Sequence, residues 1–369
     1  MAEEILESKI GLKKKKLSKR KKIIIIVSTI LVFLLLLIFL ILPCSASIAI
    51  YKSVFDKRYT STAYLSYDVE EFEGLKTDKH EFQSYDNETL VGYRYYTANS
   101  QPCGVVVIAH GFGGGGHKNY MDVAYYFACN GFDVFAYDAT GNDESGGNAV
   151  KGLPQGVKDL SRAIEYLDEV PELKDLPIFL WGHSWGGYSV ASVLNFHPEV
   201  KAIASLAGFN RSSDLLYAQG KEIVGGIIDL MLPYVNAHER TQFGKYATAT
   251  AMDGFAKSNA GAYIVHSAVD EVVSIEYGYD IYYEKYANND RFVFKKYEDK
   301  GHNEICYSRE AIEYVRNFNA KFEEYFNGRE ITDAEREEYI TNNLDRSVWC
   351  NLLDKELFVD IVNFYKSYI

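Results

Sequence analysis

At 369 residues, with 47% hydrophobic, 15% aromatic and 24% charged residues, the chain has ample material for a large buried core and is not composed like a disordered protein. The net charge is −12, yet residues 1 to 22 hold nine Lys/Arg against three Glu, a local +6 that leaves −18 on the rest. A body this acidic disfavours nucleic acid and anionic lipid headgroups as partners of its general surface.

Residues 1–22 read as a basic cytoplasmic tail, with Lys13 to Lys16, Lys19, Arg20, Lys21 and Lys22 clustered at its end. Residues 23–42 follow as a run of twenty without a charge, closed by Pro43; at 1.5 Å per residue that is about 30 Å, the thickness of a bilayer's hydrocarbon core. The basic flank predicts a single-pass anchor with a cytoplasmic N-terminus and residues 43–369 on the far side. The competing expectation is a cleaved signal peptide and a secreted product, since Ser45-Ala46-Ser47 follow the apolar run, although that run is longer than a secretory one. Cys44 lies where a lipoprotein cysteine would, but Pro43 occupies the place of the small residue such a signal needs. The five cysteines, at 44, 103, 129, 306 and 350, include no C-x-x-C pair and suggest neither a zinc site nor a disulfide scaffold; free, mostly buried thiols are expected.

Residues 43–80, polar and rich in Tyr, read as a juxtamembrane lead-in. Glu81 to Tyr96 alternates around Asp86-Asn87 and predicts an antiparallel hairpin at a sheet edge. Strand-like and helix-like runs then alternate: strands over Val105 to Ala109, Val134 to Tyr137, Ile178 to Trp181, Ala202 to Leu206, Tyr263 to His266 and Phe292 to Tyr297, and helices between them. Such alternation predicts a parallel sheet wrapped by helices. It breaks over residues 209–259, an insertion with an apolar stretch around Ile223 to Leu232 that reads either as a buried helix or as a cap over the sheet's C-terminal edge, where ligands bind in open α/β sheets. A helix over Ala311 to Phe326 closes the domain, and residues 327–369 read as a helical extension with a capping box at Thr332 to Glu335.

The chemistry gathers on Gly182-His183-Ser184-Trp185-Gly186, a G-x-S-x-G pattern between strand and helix in which a sharp turn would expose the serine hydroxyl above the sheet. A serine needs a base, and His302, in Gly301-His302-Asn303 directly after the last strand, reaches the same edge. The imidazole needs an orienting acceptor; Asp270, after the penultimate strand, is better placed than Glu271 or Asp299. For an oxyanion hole, the backbone N–H of Trp185 opens a helix and that of Phe112 lies in the loop His110-Gly111-Phe112-Gly113-Gly114. The same loop also spells G-x-G-x-x-G at Gly111, Gly113 and Gly116, with Asp133 beyond it, so a dinucleotide-binding turn competes. Against that stand its position after a strand that is not the domain's first, and the Ser, Asp, His order. A P-loop fails because His117 follows Gly116 where lysine is required.

Together these motifs, with Tyr137-Asp138, Gly141 and Ser145-Gly146, resemble over about Glu81 to Phe326 an α/β-hydrolase of the serine acylhydrolase and aminopeptidase-like group. The resemblance implies an α/β-hydrolase domain over 81–326 with a mostly parallel twisted sheet, a lid inserted after the sixth core strand at 209–259, Ser184 as nucleophile, and Asp270 and His302 as its partners. Asn142 departs from it, standing where the family more often has a second glycine. An apolar cap and a nearby bilayer suit a lipid-like or aromatic acyl chain, so a small-molecule acyl ester is the expected substrate, with an amide or peptide as the alternative. No metal or cofactor is expected, the N-terminal helix makes a membrane the other partner, and a catalytically silent binding protein on the same fold is the competing class.

Overall fold

Runs of β-branched and aromatic residues buried on both faces decide the centre of the fold. In the computed structural model, which describes residues 17–98 and 101–369, eight strands form one sheet; Lys13 to Lys16 of the basic tail lie outside the described residues. The strands are β1 (Leu75–Gln83), β2 (Thr89–Thr97), β3 (Val105–Ala109), β4 (Asp133–Tyr137), β5 (Ile178–His183), β6 (Ala202–Leu206), β7 (Gly261–Ser267) and β8 (Phe292–Tyr297). Their order is β1-β2-β4-β3-β5-β6-β7-β8. β1 and β2 pair antiparallel, as do β2 and β4, while β3 to β8 run parallel with Val107 opposite Leu180 and Leu180 opposite Ile203. This is the α/β-hydrolase fold. The hairpin begins six residues before Glu81, and Asn87 takes a positive φ of 61° in its turn.

The helices are α1 (Lys19–Phe55), α2 (Met121–Cys129), α3 (Pro154–Tyr166), α4 (Trp185–Ser192), α5 (Ser212–Val224), α6 (Ile228–Phe243), α7 (Ala251–Lys257), α8 (Tyr279–Tyr286), α9 (Arg309–Phe326), α10 (Asp333–Asn343), α11 (Arg346–Trp349) and α12 (Lys355–Lys366). One core layer joins α3, α4, α7 and α8 to the sheet, and the other joins α2 and α12.

Three stretches differ from the sequence expectation. First, residues 43–55 are not a loose lead-in: the apolar helix runs through Pro43 as far as Phe55, with Ser47, Tyr51 and Phe55 buried. Proline has no N–H to give the carbonyl four residues back, which is that of Phe39. The helix widens to π geometry over Leu37–Ile41, and the Tyr234 hydroxyl of α6 donates to that Phe39 carbonyl at 3.0 Å.

Second, only α5 and α6 of the 209–259 insertion form a cap; they meet at Gly225, at φ 61°, while α7 packs on α4 within the core layer. Third, α9, read as the helix that closes the domain, packs off the sheet. Its buried Phe322 and Phe326 pair with Ile340 and Leu344 beyond it in a satellite cluster, and the sheet face is filled instead by α12. There Leu357, Phe358, Ile361, Val362 and Tyr365 form one apolar stripe, and the Tyr365 hydroxyl donates to the Leu180 carbonyl at 2.6 Å. The capping box at Thr332 and Glu335 is present. All five cysteines are free thiols, and only Cys306 is buried.

Candidate active site

β5 turns into a helix within a single residue: Ser184 sits at φ 58°, ψ −116° between the strand and α4. A side chain in that region costs about 1–3 kcal/mol and persists only where the surroundings impose it. Here glycine permits it. A Cβ at Gly182 would overlap the backbone of Gly186, and one at Gly186 would overlap the Ala109 carbonyl of β3.

The loops after β7 and β8 end at the same edge. His302 Nε2 lies 2.8 Å from Ser184 Oγ, and its Nδ1 lies 2.8 and 2.9 Å from the Asp270 carboxylate oxygens. Asp270 also accepts from the Val272 and Val273 amides at 2.9 and 2.8 Å. Burial alone would raise its carboxyl, but the His302 interaction and these amides outweigh it and hold the group below the usual range. Glu271 does not orient the ring; it accepts from the backbone N–H of His302 at 3.1 Å. Asp299 pairs with Arg309 at the surface.

Phe112 and Trp185 both line the cavity above Ser184. Neither backbone N–H has an acceptor among the described residues, and that of Trp185 opens α4. The Phe112 ring rests on Trp185 at 5.8 Å, on Tyr59 at 4.9 Å and on Phe55 of α1 at 5.3 Å between centroids. His110 clamps this loop: its Nδ1 bonds the Gly111 carbonyl at 2.8 Å and its Nε2 accepts from the Ala139 amide at 3.0 Å. Gly116 and His117 are committed to the protein itself, since the Gly116 and His117 amides both donate to aspartates, Asp143 and Asp138. These two amides, at the point where a dinucleotide-binding turn would open its helix toward a pyrophosphate, are occupied by carboxylates, which adds to the argument against that competing reading. Asn142 is buried and serves its own loop, donating to the Ala139 and Thr140 carbonyls.

One pair of residues went unread in the sequence. The Gly111 amide donates to the Tyr120 hydroxyl at 3.1 Å, that hydroxyl faces His183 Nδ1 at 3.1 Å, and His183 Nε2 faces the His302 carbonyl at 3.1 Å. With the tyrosine accepting from Gly111, its proton goes to His183 Nδ1 and the Nε2–H goes to His302. Burial, reinforced by the neighbouring His302, pushes His183 down to about 3, so it stays neutral and keeps this direction. The relay ties the Gly111 loop to the His302 loop. Its only signal in the sequence was a histidine inside the elbow, and the partner Tyr120 is 63 residues away.

The cavity over Ser184 has a volume of about 740 Å³ and a mainly apolar wall from α1, α5 and α6, within the range of small-molecule sites. Asp122 is the one acidic side chain on it among the described residues, and burial pushes its carboxyl up to about 7.

The family profile described as serine aminopeptidase matches residues 100–253, a stretch that carries Ser184 and stops before Asp270 and His302. The monoglyceride lipase of Saccharomyces cerevisiae is 23% identical over 172 residues, 42% of this chain and 52% of that protein. The monoacylglycerol lipase of Mycolicibacterium smegmatis is 32% identical over 163 residues, 44% of this chain and 48% of that protein. The chain thus spans about half the length of these curated relatives. The structure of a Pyrococcus furiosus esterase superposes with a TM-score of 0.53 at 14% identity, covering 74% of this chain and 97% of that one. At that identity the likeness is one of fold.

Proposed function

We propose that this chain, an α/β-hydrolase in fold, is a membrane-anchored serine hydrolase that cleaves carboxylic esters of lipid-like acids through an acyl-enzyme. The observation that carries the reading is the continuous bonding from Ser184 Oγ through His302 to buried Asp270. In the first half-reaction Ser184 Oγ bonds to the ester carbonyl carbon while its proton passes to His302 Nε2. The carbonyl oxygen gathers negative charge against the N–H groups of Phe112 and Trp185. Collapse breaks the bond to the alcohol, which leaves with the proton from His302. Water then repeats the sequence, with His302 taking its proton, and frees the acid and the serine. Asp270 holds the ring with Nε2 toward the serine and stabilises the cation formed in each half-reaction.

Ester rather than amide chemistry is favoured by the wall of the cavity. An aminopeptidase must seat a free α-ammonium against a carboxylate, and Asp122 is buried with its two oxygens already accepting from the Val123 amide and the Tyr67 hydroxyl. The lipase relatives support the same class. Amide cleavage is the second reading, supported by the serine aminopeptidase profile.

The test is fluorophosphonate labelling of the purified full chain, followed by hydrolysis of p-nitrophenyl butyrate and of alanine p-nitroanilide. Labelling at Ser184 and turnover of the ester over the anilide are expected. A wild-type protein that is folded and does not label would overturn the enzyme reading in favour of a binding role.

A further inference from the structure

The apolar helix α1 is longer than a membrane requires. From Ile23 to Tyr51 it carries no charge over 29 residues, about 44 Å of helix against about 30 Å of hydrocarbon. The surplus end is built into the candidate active site. Ser47, Ile50, Tyr51, Val54 and Phe55 line the Ser184 cavity, and Phe55 supports the Phe112 ring. The Tyr51 hydroxyl donates to Glu239 Oε1 of α6 at 2.9 Å, and the Ser212 hydroxyl reaches both oxygens of the same carboxyl at 2.9 Å.

Two contacts set the depth of the cap. On α6, Glu239 meets Tyr51, and Tyr234, nearer the start of the helix, meets Phe39. Moving toward the start of α6 is therefore moving down α1 into its apolar run. The α5–α6 elbow continues in that direction, and it exposes Ile223, Ile227 and Leu230 to 65%, 62% and 48%. Lys221, Glu222 and Asp229 flank these residues and are also exposed, which suits a shallow position at headgroup depth. The cavity itself extends from Ser184 between α1, α5 and α6 as far as Ile223 and Val224 at this elbow.

We propose that α1 is part of the acyl-binding site as well as an anchor, so that a single-chain amphiphile of the leaflet around α1 enters sideways at the α5–α6 elbow and lays its acyl chain along the helix to reach Ser184. This rests on the ester-hydrolase reading above. It assigns the substrate's source to the bilayer and its acyl subsite to residues 47–55.

The full chain is reconstituted in phosphatidylcholine vesicles with 1-oleoylglycerol in the bilayer or p-nitrophenyl acetate in the water. The double variant Ile227→Asp, Leu230→Asp changes no cavity residue and should lower oleoylglycerol turnover by about tenfold or more, with acetate turnover unchanged. Ile50→Trp, which fills the α1 wall, should shift preference from 1-oleoylglycerol toward 1-octanoylglycerol by about tenfold. Oleoylglycerol turnover at the wild-type rate in the double variant, or an unshifted chain preference in Ile50→Trp, overturns the lateral route and leaves the hydrolase reading standing. Absence of wild-type turnover on both esters overturns the hydrolase reading, and this inference with it.

Discussion

Ser184 holds a strained backbone because its neighbours leave no alternative, and the same packing makes the elbow intolerant of change. Gly186→Ala should cost about 2 kcal/mol or more, because the new methyl meets a β3 carbonyl that cannot move without breaking the sheet; a thermal melt well below wild type is the expected result. Asp270→Asn should keep the fold while lowering kcat by about 10⁴, since an amide can present its N–H to His302 Nδ1 and turn the ring to the wrong tautomer. Stopped assays with p-nitrophenyl butyrate beside a melt separate chemistry from folding. Tyr120→Phe removes the hydroxyl that links the Gly111 amide to His183. Two buried bonds at about 1 kcal/mol each predict a fall in kcat of roughly tenfold or more with KM little changed, whereas a large rise in KM would show that the relay shapes binding instead. Ser184, Asp270 and His302 were legible in the sequence because strand ends and motif spacing bring them to one edge. Tyr120 and His183 were not, because nothing local distinguishes a tyrosine whose partner is decided by folding.

Among the elements, α1 illustrates how a helix signal can be correct in kind and short in extent. Proline after a long apolar run reads as a stop, but the orphaned Phe39 carbonyl finds a donor in Tyr234, and the helix continues. The C-terminal end of α1 is then locked to the cap through Glu239, whose carboxyl burial pushes up to about 7 from 4.5. A carboxyl that holds its proton more tightly when folded stabilises the fold fully below about pH 4.5. That contribution is lost as the pH rises to about 7 and is constant above it. Glu239→Gln keeps an acceptor for Tyr51 and Ser212 without the charge, so its melting temperature should match wild type near pH 4.5 and exceed it at pH 8. Equal melting temperatures at both pH values would show that Glu239 is not desolvated in solution. α12 shows the same principle at the other end of the chain. Its stripe was legible, but its place on the sheet was not, since an apolar stripe does not say which distant face it will meet.

At the scale of the molecule, the two ends of the chain close the fold: α1 walls the cavity and α12 covers the sheet. Removing residues 355–369 would expose the partners of Leu357, Phe358, Ile361, Val362 and Tyr365 on β5 and α2; a truncated chain should be insoluble or molten by near-UV circular dichroism. The proposed orientation is tested by protease protection on intact cells, where the C-terminal body should be cut from outside and a shielded body would refute it. The sheet-and-helix alternation, the elbow and the residues delivered to one sheet edge are all written locally in the chain, because each follows from periodicity, glycine sterics or the end of a strand. Long-range packing alone sets how far α1 runs into the site, places α12 on the sheet face, and lets Tyr120 and His183 connect the Gly111 and His302 loops. Those outcomes depend on which distant surface a stripe or hydroxyl meets, and no local pattern encodes that choice.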